Sequence, residues 1–275
     1  MFHIKKSIRR FQYSINDLIY PNAIKIDYAV KKNNFGDILN PIVVEYLTDK
    51  KTKRVATAYT NKTHLLGIGS ILNRANKNSI VWGAGFIKDK SFVIGPPKKI
   101  LAVRGPKTRK RLLELNIECP EIYGDPALLM PNIYNPKIDK KYKLGIIPHY
   151  VDFNDDRLKH INDDNVLVID ICNPDPFLVI DQLLRCEKVA SSSLHGLIVS
   201  DAYGIPNAWI KFSDKVVGGD FKFLDYFQSI DRATKTPYDI GENIIIKDLI
   251  DNCNLHKVRL NLRPLTAQIK KEYSE

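Results

Sequence analysis

The chain has 275 residues, 44% of them hydrophobic and 27% charged, with a formal net charge of +11. That length can bury one large core or two moderate ones, and the basic surplus favours polyanions, anionic membrane surfaces or phosphorylated small molecules. No aromatic RNP-type signature, zinc finger or helix-turn-helix accompanies the charge, so nucleic acid is not expected as a partner.

Cys119, Cys172, Cys186 and Cys253 lie far apart without a CxxC pair. Neither a zinc site nor a disulfide framework is expected from them, and a reducing, cytoplasmic setting is the simplest one. No apolar run approaches the ~20 residues that span a bilayer, and no signal-peptide h-region opens the chain. The first twenty residues mix cations with Phe, Ile, Leu and Tyr at roughly helical spacing. Such a segment either lies on an anionic membrane surface, giving peripheral contact with its inner face, or packs on its own domain. The remaining basic runs, "KKTKR" and "KTRKR" among them, read as solvated faces.

Along the chain, short apolar runs alternate with longer amphipathic ones, the pattern of an α/β protein with largely parallel sheets. Strands are predicted within 23–30, 63–71, 79–86 and 99–105, and helices over 36–50 and 106–116. The second helix opens on proline in its favoured first position. Residues 131–142 carry prolines, asparagines and lysines without periodicity and read as a linker. A second series follows: strands within 143–150 and 165–171, a helix over 175–186, a strand at 188–193, a helix over 194–204 and a strand at 207–212. From 244 the pattern is helical, with a break expected near Pro264. The expectation is two Rossmann-like domains, 1–140 and 141–275, with a ligand cleft between the carboxyl ends of their sheets.

Four places past predicted strand ends are rich in polar residues. In "NNFGDILNP", Asn34, Gly36 and Asp37 open a helix. Asp37 either caps it or accepts a hydrogen bond from a sugar hydroxyl, and Gly36 lets backbone approach a ligand. The glycines of "GIGSIL" and "WGAGF" also suit close approach, but neither is a dinucleotide fingerprint. In "AVRGPKTRK", Arg104 ends a strand just before a helix N-terminus, a combination suited to a phosphate or carboxylate. Finally, "SSSLHGLIVSDAYGIP" puts Ser191, Ser192, Ser193, His195 and Gly196 at a strand-to-helix turn, where hydroxyls and helix N–H groups converge and His195 can transfer a proton. His149 lies just past the strand at 143–150 and is a similar candidate.

Eight segments in order, "NFGDILNP", "GIGSIL", "WGAGF", "VRGPKTRKRL", "YGDPALLMP", "IIPHYVD", "SSSLHGLIVSDAYGIP" and "GGDFKFLDYFQSI", resemble the polysaccharide pyruvyl transferase family over about residues 30–230. The resemblance implies a two-domain fold like that of GT-B glycosyltransferases. It also implies transfer of pyruvate from phosphoenolpyruvate to a sugar as a ketal, with release of phosphate. The acceptor would be a glycan or a lipid-linked precursor. By motif, Arg104 and His195 are the residues implied to contact the donor. Several members carry arginine before "LHG", where this chain has Ser193. Lys222 of "GGDFKF" is the candidate substitute cation and Lys211 the second.

Ketal formation requires a general acid, a general base and cations for the donor's carboxylate and phosphate. On this reading His195 is the acid or assists phosphate departure, and His149 or Asp37 is the base or acceptor contact. Arg104 and Lys222 clamp the donor, with Ser192, Ser193 and Asn34 as further contacts. No cofactor or metal is expected, phosphoenolpyruvate being a substrate. The alternative is a GT-B nucleotide-sugar glycosyltransferase, which needs a carboxylate for the ribose; Asp201 and Asp220 are available, without a recognisable signature. A non-catalytic carbohydrate- or headgroup-binding protein is a third reading, disfavoured by the histidines.

Overall fold

The computed structural model describes residues 22–29 and 34–274. The opening segment considered for membrane contact lies outside these residues. Among the described residues no helix is long and apolar enough to cross a membrane.

The first lobe contains β1 (Ile24–Asp27), α1 (Phe35–Thr48), β2 (Thr52–Val55), β3 (His64–Leu66), β4 (Ser79–Trp82), β5 (Lys99–Ala102), α2 (Pro106–Glu114) and the short α3 (Met130–Ile133). The second contains β6 (Tyr142–Ile147), α4 (Asp156–Lys159), β7 (Val166–Val168), α5 (Pro176–Leu184), β8 (Cys186–Ser191), α6 (Leu194–Ala202), β9 (Asn207–Lys211), α7 (Phe221–Ser229) and β10 (Tyr238–Asp239). Two further helices, α8 (Ile246–Asn252) and α9 (Arg263–Tyr273), end the chain.

Each lobe is built on a parallel five-stranded sheet, ordered β2-β1-β3-β4-β5 in the first and β10-β9-β8-β6-β7 in the second. Counted within its own lobe, the second sheet read from β7 has the same 2-1-3-4-5 order, so both are Rossmann-like and doubly wound. The central strands are short and apolar because helices cover both sheet faces; every residue of β3 and β4 is buried. The edge strand β2 shows the opposite chemistry. Its "TKRV" falls in a run read from sequence as a solvated face, yet all four residues pair with β1. Charge on an exposed edge discourages further strand pairing, so the two descriptions are compatible.

One continuous apolar cluster joins the lobes, running from Ile26 and Leu39 of the first to Val189 and Leu197 of the second. Helix α6 lies at its centre. Leu194 through Asp201 are all buried, which explains why that helix is nearly apolar all round. The C-terminal segment departs from the expected division at residue 140. Trp82 Nε1 donates to Leu265 O at 2.9 Å, and Leu265 and Ile269 are buried in the shared core. The last helix therefore packs on the first lobe. Pro264 sits in the first turn of α9 and starts that helix. Likewise "GGDFKF" is a glycine turn followed at once by helix: α7 begins at Phe221, which makes Lys222 a first-turn residue.

Candidate active site

In a 2-1-3-4-5 sheet the chain winds in opposite directions from the first and third strands, and the crevice opens beyond their carboxyl ends. In the first lobe those ends lead into Asn34 and α1 and into the Gly69–Ser70 turn; in the second, into His149–Tyr150 and Ser192–Ser193. The two crevices face each other. Between them lies a cavity of about 260 Å³ lined by Asn34, Asp37, Gly69, Ser70 and Arg74 on one side and by His149, Tyr150, Ser193, His195 and Lys222 on the other. Ile87 and Val217 are among its apolar lining residues.

His195 reaches across the lobe boundary. Its ring lies on Gly36 of α1, where a Cβ would overlap ring atoms Nδ1, Cε1 and Cγ. Gly36 therefore makes room for an imidazole of the other lobe, and the close approach anticipated there is made by the protein itself. On the ring's other side, Nε2 lies 3.7 Å from Asp125 Oδ2. Both atoms are buried and neither has a hydrogen-bond partner. The second Asp125 oxygen is occupied, accepting the Ala127 N–H at 3.0 Å.

Asp37 is the third residue of α1, one position beyond the first turn's opening pair, and it is buried. The N-cap is Asn34, whose side chain makes no capping bond and whose Oδ1 is buried without a partner. Burial lifts the Asp37 carboxyl to about 6, against the opposing pull of His195, the Ala29 N–H and Arg74. Arg74 is anchored by one nitrogen, Nη1 donating to Asp27 Oδ1 at 3.1 Å. Asp27 is itself held by the Thr57 N–H and hydroxyl at 3.0 and 2.7 Å.

The serine triplet divides its labour. Ser191 Oγ donates to Ser193 O at 2.9 Å and accepts the Ser193 N–H at 3.0 Å, so it is tied off in the core. Ser192 Oγ accepts the His149 N–H at 2.7 Å and so fixes the loop that carries that histidine. Ser193 alone of the three lines the cavity. Gly196 contacts no ligand space: a Cβ there would overlap Ser191 Oγ, so the approach it permits is that of its own strand. His149 stacks on Tyr150 with ring centroids 4.3 Å apart, and its Nδ1 accepts the Val151 N–H at 3.4 Å. Burial, with the Arg104 charge behind it, pulls the Lys222 ammonium down to about 8.

Residues 23–214 match the sequence profile of the polysaccharide pyruvyl transferase family. The chain belongs to this family. It is 37% identical over 216 residues to the uncharacterized protein L143 of Acanthamoeba polyphaga mimivirus, covering 74% of this chain and 73% of that protein. It is also 28% identical over 227 residues to the succinoglycan biosynthesis protein ExoV of Rhizobium meliloti, covering 78% and 68% of the two chains. A solved structure of a functionally uncharacterized Klebsiella pneumoniae protein superposes with a TM-score of 0.45 at 14% identity, covering 88% of this chain and 100% of that one.

Two cations named from the sequence stand differently in this pyruvyl transferase family member. The sequence points to Arg104, just before the N-terminus of α2, as a contact for a phosphate or carboxylate ligand. Arg104 is fully buried and donates to Asp225 Oδ2 at 3.0 Å, Ser70 Oγ at 2.7 Å and Phe86 O at 2.7 Å. The same carboxylate accepts the Thr108 N–H at 2.8 Å and the Thr108 hydroxyl at 2.6 Å. An anion does occupy the arginine and helix N-terminus, and it is Asp225 of the other lobe. Arg104 meets the cavity only through Ser70, which it holds in the wall. Lys211 is outside the site: its ammonium pairs with Asp214 at 2.7 Å, and it borders a separate hollow of about 70 Å³.

Lys222 remains, joined by Arg74, which the sequence reading missed. Arg74 lies four residues past the "GIGS" glycine turn, in a short helical turn (Leu72–Arg74) with no periodicity to mark it. Asp125 was missed as well, although it stands in the quoted "YGDP" segment. Its neighbour His195 is seventy positions away, and only the packing of the lobes brings them together.

Proposed function

We propose that this chain transfers the pyruvyl group of phosphoenolpyruvate to two hydroxyls of one sugar in a polysaccharide or its lipid-linked precursor, forming a ketal and releasing phosphate. One observation carries this reading: a single inter-lobe cavity holds two cations, Arg74 and Lys222, together with two proton-handling groups, Asp37 and His195. Two negatively charged groups on one small donor call for two cations, and addition across its double bond calls for an acid and a base. On this reading the two lobes form a GT-B-like clamp around the donor.

The chemistry follows from those groups. Arg74 and Lys222 hold the phosphate and carboxylate, and His195 gives a proton to the methylene carbon. The π pair forms the new C–H bond and leaves C2 cationic. One sugar hydroxyl attacks C2 as Asp37 takes its proton. Phosphate then departs with the electron pair of its C2–O bond and collects the Asp37 proton. The second hydroxyl closes the ring at C2, and its proton restores His195. On this reading Asn34 and His149, on the cavity wall, contact the acceptor. The Asp37 value of about 6 suits a base at neutral pH.

The test is to incubate the protein with phosphoenolpyruvate labelled at C2 and a panel of reducing-end-tagged glycans. Phosphate release and the quaternary ketal carbon in the product spectrum are then measured. Parallel reactions contain nucleotide sugars in place of phosphoenolpyruvate. Glycosyl transfer from a nucleotide sugar, with no ketal formed from phosphoenolpyruvate, would reject the proposal in favour of a glycosyltransferase.

A further inference from the structure

We infer that Asp125 is a positioning residue for His195, holding the proton of the neutral imidazole on Nε2 so that Nδ1 is the atom that exchanges protons with a ligand. The role as an acid–base device rests on the function proposed above; the geometry does not.

Asp125 is fully buried and sits at the mouth of the turn Pro126–Leu129, which α6 packs against. Its Oδ1 caps that turn through the Ala127 N–H, which leaves Oδ2, without a hydrogen-bond partner, 3.7 Å from His195 Nε2; the Asp37 carboxyl and the Tyr226 phenol feel the Asp125 charge from farther off. A buried carboxylate oxygen and a buried ring nitrogen, each without a partner, are expensive to leave apart. The separation is slightly longer than a hydrogen bond, and such contacts tighten when a ligand settles the site. Because a carboxylate only accepts, the nitrogen facing it must carry hydrogen. Nε2 is sealed from solvent, so a proton passed to a ligand leaves from Nδ1. Donation from Nδ1 of the imidazolium then produces the neutral form that Asp125 favours, with Nε2–H bonded to Oδ2.

The other charged and titratable groups around the ring belong to the cavity walls: Asp37 from α1, Arg74 beyond β3, His149 beyond β6 and Lys222 from α7. Asp37 acts on His195 through its charge; Asp125 is the group placed at a ring nitrogen.

The cap makes the experiment selective. In Asp125→Asn the amide oxygen is retained by the Ala127 N–H, so the NH₂ group turns toward Nε2 and forces the proton onto Nδ1. Long-range ¹H–¹⁵N spectra of histidine-labelled protein, with His195 assigned from a His195→Asn variant, read the tautomer without any substrate. The expected result is Nε2–H in the parent and Nδ1–H in Asp125→Asn. With phosphoenolpyruvate and an acceptor, kcat falls ~10²–10⁴-fold, as for a histidine held in the wrong tautomer, while the donor KM changes far less. Should Asp125→Asn not fold, Asp125→Ser keeps a capping oxygen and removes the carboxylate, and its neutral His195 populates both tautomers. Nδ1–H in the parent overturns the inference, as does Nε2–H persisting in folded Asp125→Asn. If the protein transfers no pyruvate, the spectra still decide the role of Asp125, and only the proposed function fails.

Discussion

Gly36→Ala separates the catalytic geometry from the stability of the fold. The backbone at Gly36 is helical, so alanine is locally favourable by ~0.5–1 kcal/mol. The added methyl, however, falls on the His195 ring. Restoring an ordinary carbon contact of ~3.5–4.0 Å requires the ring to retreat by more than ~1 Å, and a displacement of that size costs ~10²-fold in rate. The ring cannot swing freely into solvent, since its side chain is only 10% exposed and Asp125 lies beyond it. Overpacking costs ~1–3 kcal/mol, which the helix preference offsets in part. The expected variant is folded, within about 2 kcal/mol of the parent, and about a hundredfold slower in phosphate release. Urea unfolding and steady-state kinetics on the same preparation measure both. A folded Gly36→Ala with a parental kcat would show that His195 need not sit where it does, and the site as described would fail.

The Asp37 and Lys222 values, about 6 and about 8, predict a bell-shaped kcat/KM profile, rising as Asp37 ionises and falling as Lys222 loses its proton. Asp37→Asn should abolish turnover yet stabilise the protein at pH 8. The folded carboxyl holds its proton up to about 6 against an ordinary 3.8. Stability therefore falls as pH rises through that window, and the gain from asparagine, of order 2–3 kcal/mol, vanishes below about pH 4; thermal melts at both pH values check it. Arg74→Ala and Lys222→Ala should each weaken phosphoenolpyruvate binding ~10–100-fold in calorimetric titration, whereas Lys211→Ala should bind like the parent. Arg104→Ala leaves the buried Asp225 carboxylate without its cation, held only by Thr108, and should cost ~3–5 kcal/mol in urea unfolding.

Much of the site was legible in one dimension because α/β sheets place functional residues just past strand ends. Strand-end position or motif marks Asn34, Asp37, His149, Ser193, His195 and Lys222, and all six line one cavity. The strands themselves were visible as short apolar runs, except two edge strands: β2, whose lysine and arginine carry no hydrophobic signal, and β10, which is only two residues long. What a linear reading could not assign was the partner of each polar group. Arg104 looked available because its sequence neighbours offer no carboxylate; Asp225, 121 positions away, supplies one. Glycines looked like openings for substrate, and Gly36 and Gly196 instead admit His195 and Ser191. Asp125 carries no signal of its own in the sequence, and only the packing of the lobes sets it against His195. The alternation of apolar and polar residues, which is local, determined the two sheets and the crevices at their carboxyl ends. Tertiary packing decided which charges were neutralised inside the protein and which were left facing the cavity, because a buried ion's partner is chosen by proximity in space, and sequence separation does not bound it.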